Sequence, residues 1–320
     1  MKKRSKVFLI VSAIIFGAGL IICLIGALVA SGDGEQIYST KIGEDRGYVY
    51  NFGDGKTDKI KINVTDANVN IYGGSEKTYI EVLNFNENLC SYSANNAMVT
   101  FREATQVDDI TGLWESGLSF KGLRYILRPV PADKEKTVNI YLESDEHVKA
   151  FDIKLLHGNV TVKDLKALSD YSISLESGKV VFENVSTESS IDVTATGDMS
   201  TDVIFNGVSA DMMTLSAKRA KFTADKAVLG ECEMNVSAGS ASFEFVPKAE
   251  LYTVEIATKG KLTVDGGIYP DRYVYPEKDG SEEKPDEEAP VSALKITGED
   301  FSVNLVTPEK EKAENQTEQG

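Results

Sequence analysis

Between residues 151 and 264 one unit is written six times: a short alternating strand, a turn, a second alternating strand and a polar corner. FDIKLLHGNVTV is followed by YSISLESGKVVF, IDVTATGDMSTDVIF, TLSAKRAKFTA, CEMNVSAGSASFEF and YTVEIATKGKLTV. The turns centre on Gly158, Gly178, Gly197, Arg219, Gly239 and Gly260, at steps of 20, 19, 22, 20 and 21 residues. A fixed period of this size marks stacked supersecondary units, none of which can bury its apolar face alone.

The columns within the unit agree with that reading. Phe151, Ile153 and Leu155 recur as Tyr171, Ile173 and Leu175, as Ile191, Val193 and Ala195, and as Tyr252, Val254 and Ile256. Second strands offer Val160 and Val162, Val180 and Phe182, Phe243 and Phe245, and Leu262 and Val264. Residues between them are polar, among them Asp152, Lys154, Ser172, Ser174, Asp192, Thr194, Glu233 and Asn235. Period-two alternation with one apolar side is what a half-buried strand requires. The expected fold is all-β: a single-domain β-solenoid, or β-helix, with rungs of about 20 residues spaced about 4.8 Å apart.

The repeat extends beyond those six copies. KIKINVTDANVNIYGG opens the domain with the same alternation, and SALKITGEDFSVNLVTP, with Gly298 at its turn, returns to it near the end. The domain is therefore placed at residues 58–306, interrupted by an irregular excursion at 84–135 and an acidic insertion at 270–290. Within the excursion SYSANNAMVTFRE reads as a strand pair, and TVNIYLESDEHVKAFDIKLL leads back into the rungs. The tail, 307–320, is polar and aperiodic and is expected to be disordered.

Ahead of the domain, residues 7–30 run without a charge. At about 1.5 Å per residue they make a helix of about 36 Å, enough to cross a hydrocarbon core of about 30 Å. The apolar core of a cleaved signal peptide is about 7–15 residues, and Leu28-Val29-Ala30 is a poor cleavage site, so the run reads as an uncleaved transmembrane helix. Lys2, Lys3, Arg4 and Lys6 precede it, which leaves residues 1–6 cytoplasmic and the chain after residue 30 outside the cell membrane. Residues 31–57 are a Gly- and Asp-rich juxtamembrane spacer that begins to form strand near Tyr48. The net charge is -16, and with four cations at the N-terminus the remainder carries about -20. Such a surface repels nucleic acid, which is not an expected partner.

Signals for chemistry are sparse. The two histidines, His147 and His157, have no partner motif, and no metalloprotease, hydrolase-elbow or paired-cysteine signature occurs. Asp66-Ala67-Asn68-Val69-Asn70 imitates the start of a calcium loop, but Ile71 stands where the Gly is needed. No metal and no cofactor is expected, and the chain is read as a non-enzyme. Cys232 falls on an inward column and Cys90 lies in the excursion, so the fold does not need a bridge between them. Trp114, Phe120 and Tyr125 in the excursion have two readings: a cap over the open end of the stack, or an exposed aromatic platform for a partner.

Taken together, KIKINVTDANVNIYGG, TVNIYLESDEHVKAFDIKLLHGNVTVKDL and the repeated SLESGKVVFENV-type rungs resemble the bacterial family of adhesin-like β-solenoid domains, over residues 58–306. That family is long described as a domain of unknown function related to adhesin heads, and its members commonly follow one membrane helix. The resemblance implies a non-catalytic binding, adhesion or structural module at the cell envelope, with an envelope polymer or protein as partner. It supplies no catalytic residues. Two other readings stay open: an accessory sensor of an envelope signalling complex, and a carbohydrate-active β-helix enzyme.

Overall fold

The computed structural model describes residues 47–51, 57–85, 90–94, 97–103, 135–143, 148–167, 169–249, 251–276 and 291–307. The apolar run 7–30, the segment carrying Trp114, Phe120 and Tyr125, His147, residues 277–290 and the tail from 308 lie outside these. The described residues contain no helix, and their strands belong to one large, mostly parallel sheet.

Each unit contributes two strands. Ala150–Lys154 pairs in parallel with Asp170–Leu175, which pairs with Ser190–Ala195, which pairs with residues 212–217. The second strands run alongside: His157–Lys163, Ser177–Glu183, Thr201–Asn206 and residues 220–224. Strand geometry continues unbroken through Val208–Pro247, which supplies two successive tiers. A short third side, Lys166–Ala167 beside Ser186–Thr187, carries Leu165, Val185 and, in the next tier, Val208 into the core. Two buried hydroxyls tie that side across tiers: Ser169 Oγ donates to the Val148 carbonyl at 2.6 Å and Thr187 Oγ1 to the Ser169 carbonyl at 2.8 Å.

The inward columns fuse as the alternation requires. Phe151 stacks on Tyr171 at 5.1 Å, and Tyr171, Phe182, Phe205, Phe222 and Phe243 continue edge to face at 5.5, 5.2, 5.2 and 5.1 Å. This aromatic spine joins five tiers. Such pairs add about 0.5–1.5 kcal/mol each beyond the area they bury. Ile60, Ile62, Val69 and Ile71 of the opening unit are fully buried, as are Ile296 and Leu305 of the last.

Corner chemistry differs in part from the sequence expectation. Gly158 and Gly178 pair with one another at φ of 140° and 145°. A Cβ on Gly178 would lie 1.7 Å from the Gly158 carbonyl oxygen, so only glycine lets adjacent tiers approach here. Gly197 does not continue this column. It sits over Glu176, and the register carries Thr201 and then Ala220 into line, so residues 197–200 bulge outward. In the next unit Ala220, not Arg219, holds the column. Gly298 pairs with Thr258, and Phe301 occupies the row of Gly239. At the far corner Asp164 and Asn184 adopt left-handed conformations, which Asp and Asn tolerate well, and Asn184 Nδ2 donates to Asp164 Oδ1 at 3.0 Å.

The order of the tiers departs from the order of the sequence at both ends. Lys59–Asn63 pairs on one side with Ala150–Lys154 and on the other with Met98–Glu103. Asp66–Tyr72 likewise lies between His157–Lys163 and Thr137–Tyr141. Met98–Glu103 of the excursion and Thr137–Tyr141 just after it thus build the outermost parallel tier. At the other end Val291–Gly298 lies between residues 231–235 and Leu251–Thr258, and Asp300–Val306 between residues 238–244 and Leu262–Val264. The last unit is inserted before the penultimate one.

Antiparallel strands close both ends. Cys90–Ala94 covers Met98–Glu103, while Tyr79–Leu83 covers Thr137–Tyr141 and is covered in turn by Gly47–Asn51. Opposite them, Arg272–Tyr275 covers Leu251–Thr258 and Gly267–Tyr269 covers Leu262–Val264. Residues 267–276 are therefore ordered capping strand, where the sequence suggested the start of a loose insertion. Tyrosines plug the two open ends. Tyr50 and Tyr92 stack at 4.2 Å at one end, and Tyr252, Tyr269, Tyr273 and Tyr275 pack against the core at the other.

Candidate binding face

Registered stacking converts outward residues of successive units into straight columns. On the first-strand side Lys154, Ser174, Thr194 and Ser216 follow one another in neighbouring tiers, and further along Asn235 pairs with Thr297. A parallel column holds Lys61, Asp152, Ser172, Asp192 and Thr214, then Glu233, Lys295 and Glu255. The tiers between residues 170 and 217 carry only short hydroxyl and carboxylate chains on these columns. They form a flat array of hydrogen-bonding groups repeating at about 4.8 Å.

Charged pairs bracket this centre. Asp152 lies 3.5 Å from Lys59 and 3.8 Å from Lys61 on one side. On the other, Lys295 meets Glu233 at 3.8 Å and Arg272 meets Glu255 at 2.9 Å. Longer side chains at both ends give the hydroxyl array raised borders. Along its edge, burial would push the Asp170 carboxyl up, but hydrogen bonds from Ser189 and Ser190 outweigh it and hold the group below its ordinary value. Asp170 is thus a fixed anion organised by its neighbours. Its shift is opposite to that of a general acid, which needs a raised value.

The second-strand side is more varied. Thr161, Val181, Ile204 and Thr223 form a half-buried β-branched column, with Lys163 and Glu183 paired at 2.8 Å beside it. Toward the N-terminal cap the same side carries three stacked tyrosines, Tyr72, Tyr141 and Tyr79, with centroids 5.3 and 4.6 Å apart. Asn139, Asn70 and Glu81 hydrogen-bond beside them at 2.9 Å. The rings cover each other's faces, so this ladder braces the capping tier.

The corner between the two sides holds two grooves separated by the bulge at 197–200. One, of about 250 Å³, is lined by Thr65, Glu103, Lys154, Leu156, Glu176 and Thr196 among others. Its buried Glu103 is occupied structurally, accepting from Thr65 N at 3.1 Å, Thr65 Oγ1 at 2.7 Å and Lys136 Nζ at 2.5 Å. The other, of about 500 Å³, is lined by Asp198, Lys218, Arg219, Ser237, Glu299 and Asp300, and within it Lys218 pairs with Asp198 at 3.0 Å. His157 shares a hydrogen bond with Ser177 Oγ at 2.8 Å on the corner, a tie between tiers. Among the described residues no group of His, Cys, Asp and Glu is arranged to hold a metal ion. Cys90 and Cys232 are both free thiols; Cys232 packs 3.6 Å from Met213 Sδ.

Trp114, Phe120 and Tyr125, the residues the sequence offered for partner binding, fall outside the described residues. The hydroxyl array was missed because each of its members is an ordinary outward residue. Only lining up units 20 to 22 residues apart reveals the columns.

No family model matches the chain, and no curated protein matches it. Solved structures do. A putative cell adhesion protein from Clostridium sporogenes is 12% identical, covering 83% of this chain and 100% of that one, with a TM-score of 0.32. A putative adhesin from Bacteroides fragilis is 12% identical over 83% and 98%, with a TM-score of 0.41. A putative lipid binding protein from Parabacteroides distasonis is 12% identical over 84% and 98%, with a TM-score of 0.38. These are what the chain is similar to.

Proposed function

We propose that this chain is a β-solenoid that serves as a non-catalytic, adhesion-like binding module at the cell envelope. In this reading residues 7–30 anchor it in the cell membrane and the chain beyond them lies outside. The observation that carries the reading is the bordered hydroxyl array formed by Ser172, Ser174, Asp192, Thr194, Thr214 and Ser216. A rigid lattice of donors and acceptors loses little entropy on binding, and a repeating lattice matches a repeating partner such as an envelope polymer. The test is a sedimentation and pull-down assay of residues 31–320 against isolated envelope polymers and envelope proteins at low salt. Capture that disappears in Thr194→Arg and Ser216→Arg variants of unchanged melting temperature supports the reading. Absence of capture by every fraction overturns it.

A further inference from the structure

The swapped tier order has a mechanical consequence. In an ordinary stack of repeats each unit touches only its neighbours, so the terminal unit is held on one side and frays first. Here the first and last parallel strand pairs of the chain are each held on two sides. Lys59–Asn63 and Asp66–Tyr72 sit between the excursion tier and the regular tiers. Residues 291–306 sit between residues 231–244 and 251–264. On the C-terminal side the one-sided positions at the rim, residues 267–275, belong to an internal segment, which tension entering near residue 307 does not load first.

From this arrangement we infer a second function: the domain is a load-bearing link whose strand pairs at residues 59–72 and 291–306 are clamped inside the stack. Tension entering near residue 307 reaches strands that cannot leave without breaking two parallel ladders. They also carry Leu294, Ile296, Phe301, Val303 and Leu305, all buried. Tension from the N-terminal side first meets Gly47–Asn51, an antiparallel strand on the outer side of Tyr79–Leu83, and then the clamped pair at residues 59–72. The buried Glu103 carboxylate, paired with half-buried Lys136 at 2.5 Å and accepting from Thr65, fastens the outer tier over that pair. This inference does not rest on the adhesion reading, whose face lies on the tiers between residues 170 and 217. Ligand capture and mechanical strength are measured separately, so either can fail alone.

The test is single-molecule stretching of the full chain held at Asp58 and, in turn, at Thr307 or at Pro276. Pro276 follows the rim strand Arg272–Tyr275, so pulling there is expected to release the rim tier in an early low-force step of about 25 residues at about 3.5 Å each. Pulling at Thr307 is expected to lack that step and to show its first rupture at a higher force, since two parallel ladders must break instead of one. Hydrogen exchange of the untethered protein gives an independent readout: amides of residues 292–305 should exchange more slowly than those of 267–275. Equal first-rupture forces from the two handles, or faster exchange at 292–305 than at the rim, overturns the inference.

Discussion

Replacing Gly178 by alanine tests the close approach of tiers at the turn column. Two effects add at this position. The backbone φ of 145° lies where side-chain-bearing residues are strained, which costs on the order of 1–3 kcal/mol. The new Cβ would also stand 1.7 Å from the Gly158 carbonyl oxygen, far inside van der Waals contact. That oxygen belongs to the backbone of the neighbouring tier, so relief requires the ladder to part locally, at an overpacking cost of about 1–3 kcal/mol. The sum is about 2–6 kcal/mol. Gly266→Ala is the internal control, because its φ is 79° but nothing lies within 4 Å of the new Cβ, leaving about 1–2 kcal/mol of backbone strain alone. Urea denaturation of residues 31–320 followed by circular dichroism measures both, with the slope checked to show that the unfolding unit is unchanged. If Gly178→Ala lowers the midpoint no more than Gly266→Ala does, the tiers do not approach as closely as the turn column requires.

Other expectations follow from the same contacts. Glu103→Ala strips a buried carboxylate from Thr65 and Lys136 and should cost about 2–3 kcal/mol, whereas Asp198→Ala removes an exposed pair and should leave the melting temperature unchanged. Burial, with Glu103 adding to it, pushes the Cys90 thiol up to about 12, and burial pushes Cys232 up further, from an ordinary value of 9.0. Above pH 9 the unfolded chain therefore releases protons that the folded chain retains. Stability should fall as pH rises from about 9 to 12, and fall less in a Cys90→Ala, Cys232→Ala double variant; equal slopes by denaturation midpoint would refute the linkage. At pH 8 both thiols should resist alkylation until the protein unfolds, as measured by mass spectrometry. Tyr92→Ala removes the ring that stacks at 4.2 Å on Tyr50 and should speed hydrogen exchange in Cys90–Ala94 ahead of the central tiers.

Much of this architecture was legible in the chain because the strand period is two. Ile60, Ile62, Ile153, Ile173, Val193 and Val254 all read as inward and all are buried, since a slip of one residue would expose an entire apolar column. The strand pair in SYSANNAMVTFRE was legible for the same reason and forms as Cys90–Ala94 against Met98–Glu103. The turn column was only partly legible. Glycine marked it at 158, 178, 239 and 260, but at 197 glycine served a close pass over Glu176, and Thr201 took the aligned place. Uneven steps of 19 and 22 residues around that point were the trace of the bulge. The capping tyrosines were hidden because their segments lack the 20-residue period, and Tyr269, Tyr273 and Tyr275 resembled a polar insertion until antiparallel pairing turned them onto the core.

By itself, then, the sequence determined the two-strand unit, the side of each strand that faces inward and the length of the repeat, because these depend on local alternation and turns. Tertiary structure decided which unit lies beside which. Parallel ladders between any two of these units are nearly equivalent in hydrogen bonding and in the apolar surface they join, so alternation specifies a face without specifying a neighbour. The choice fell to the long interruptions after residues 83 and 264, which let the chain skip a tier and come back. That return placed both ends of the domain inside the stack and left its rims to be closed by tyrosine-bearing antiparallel strands.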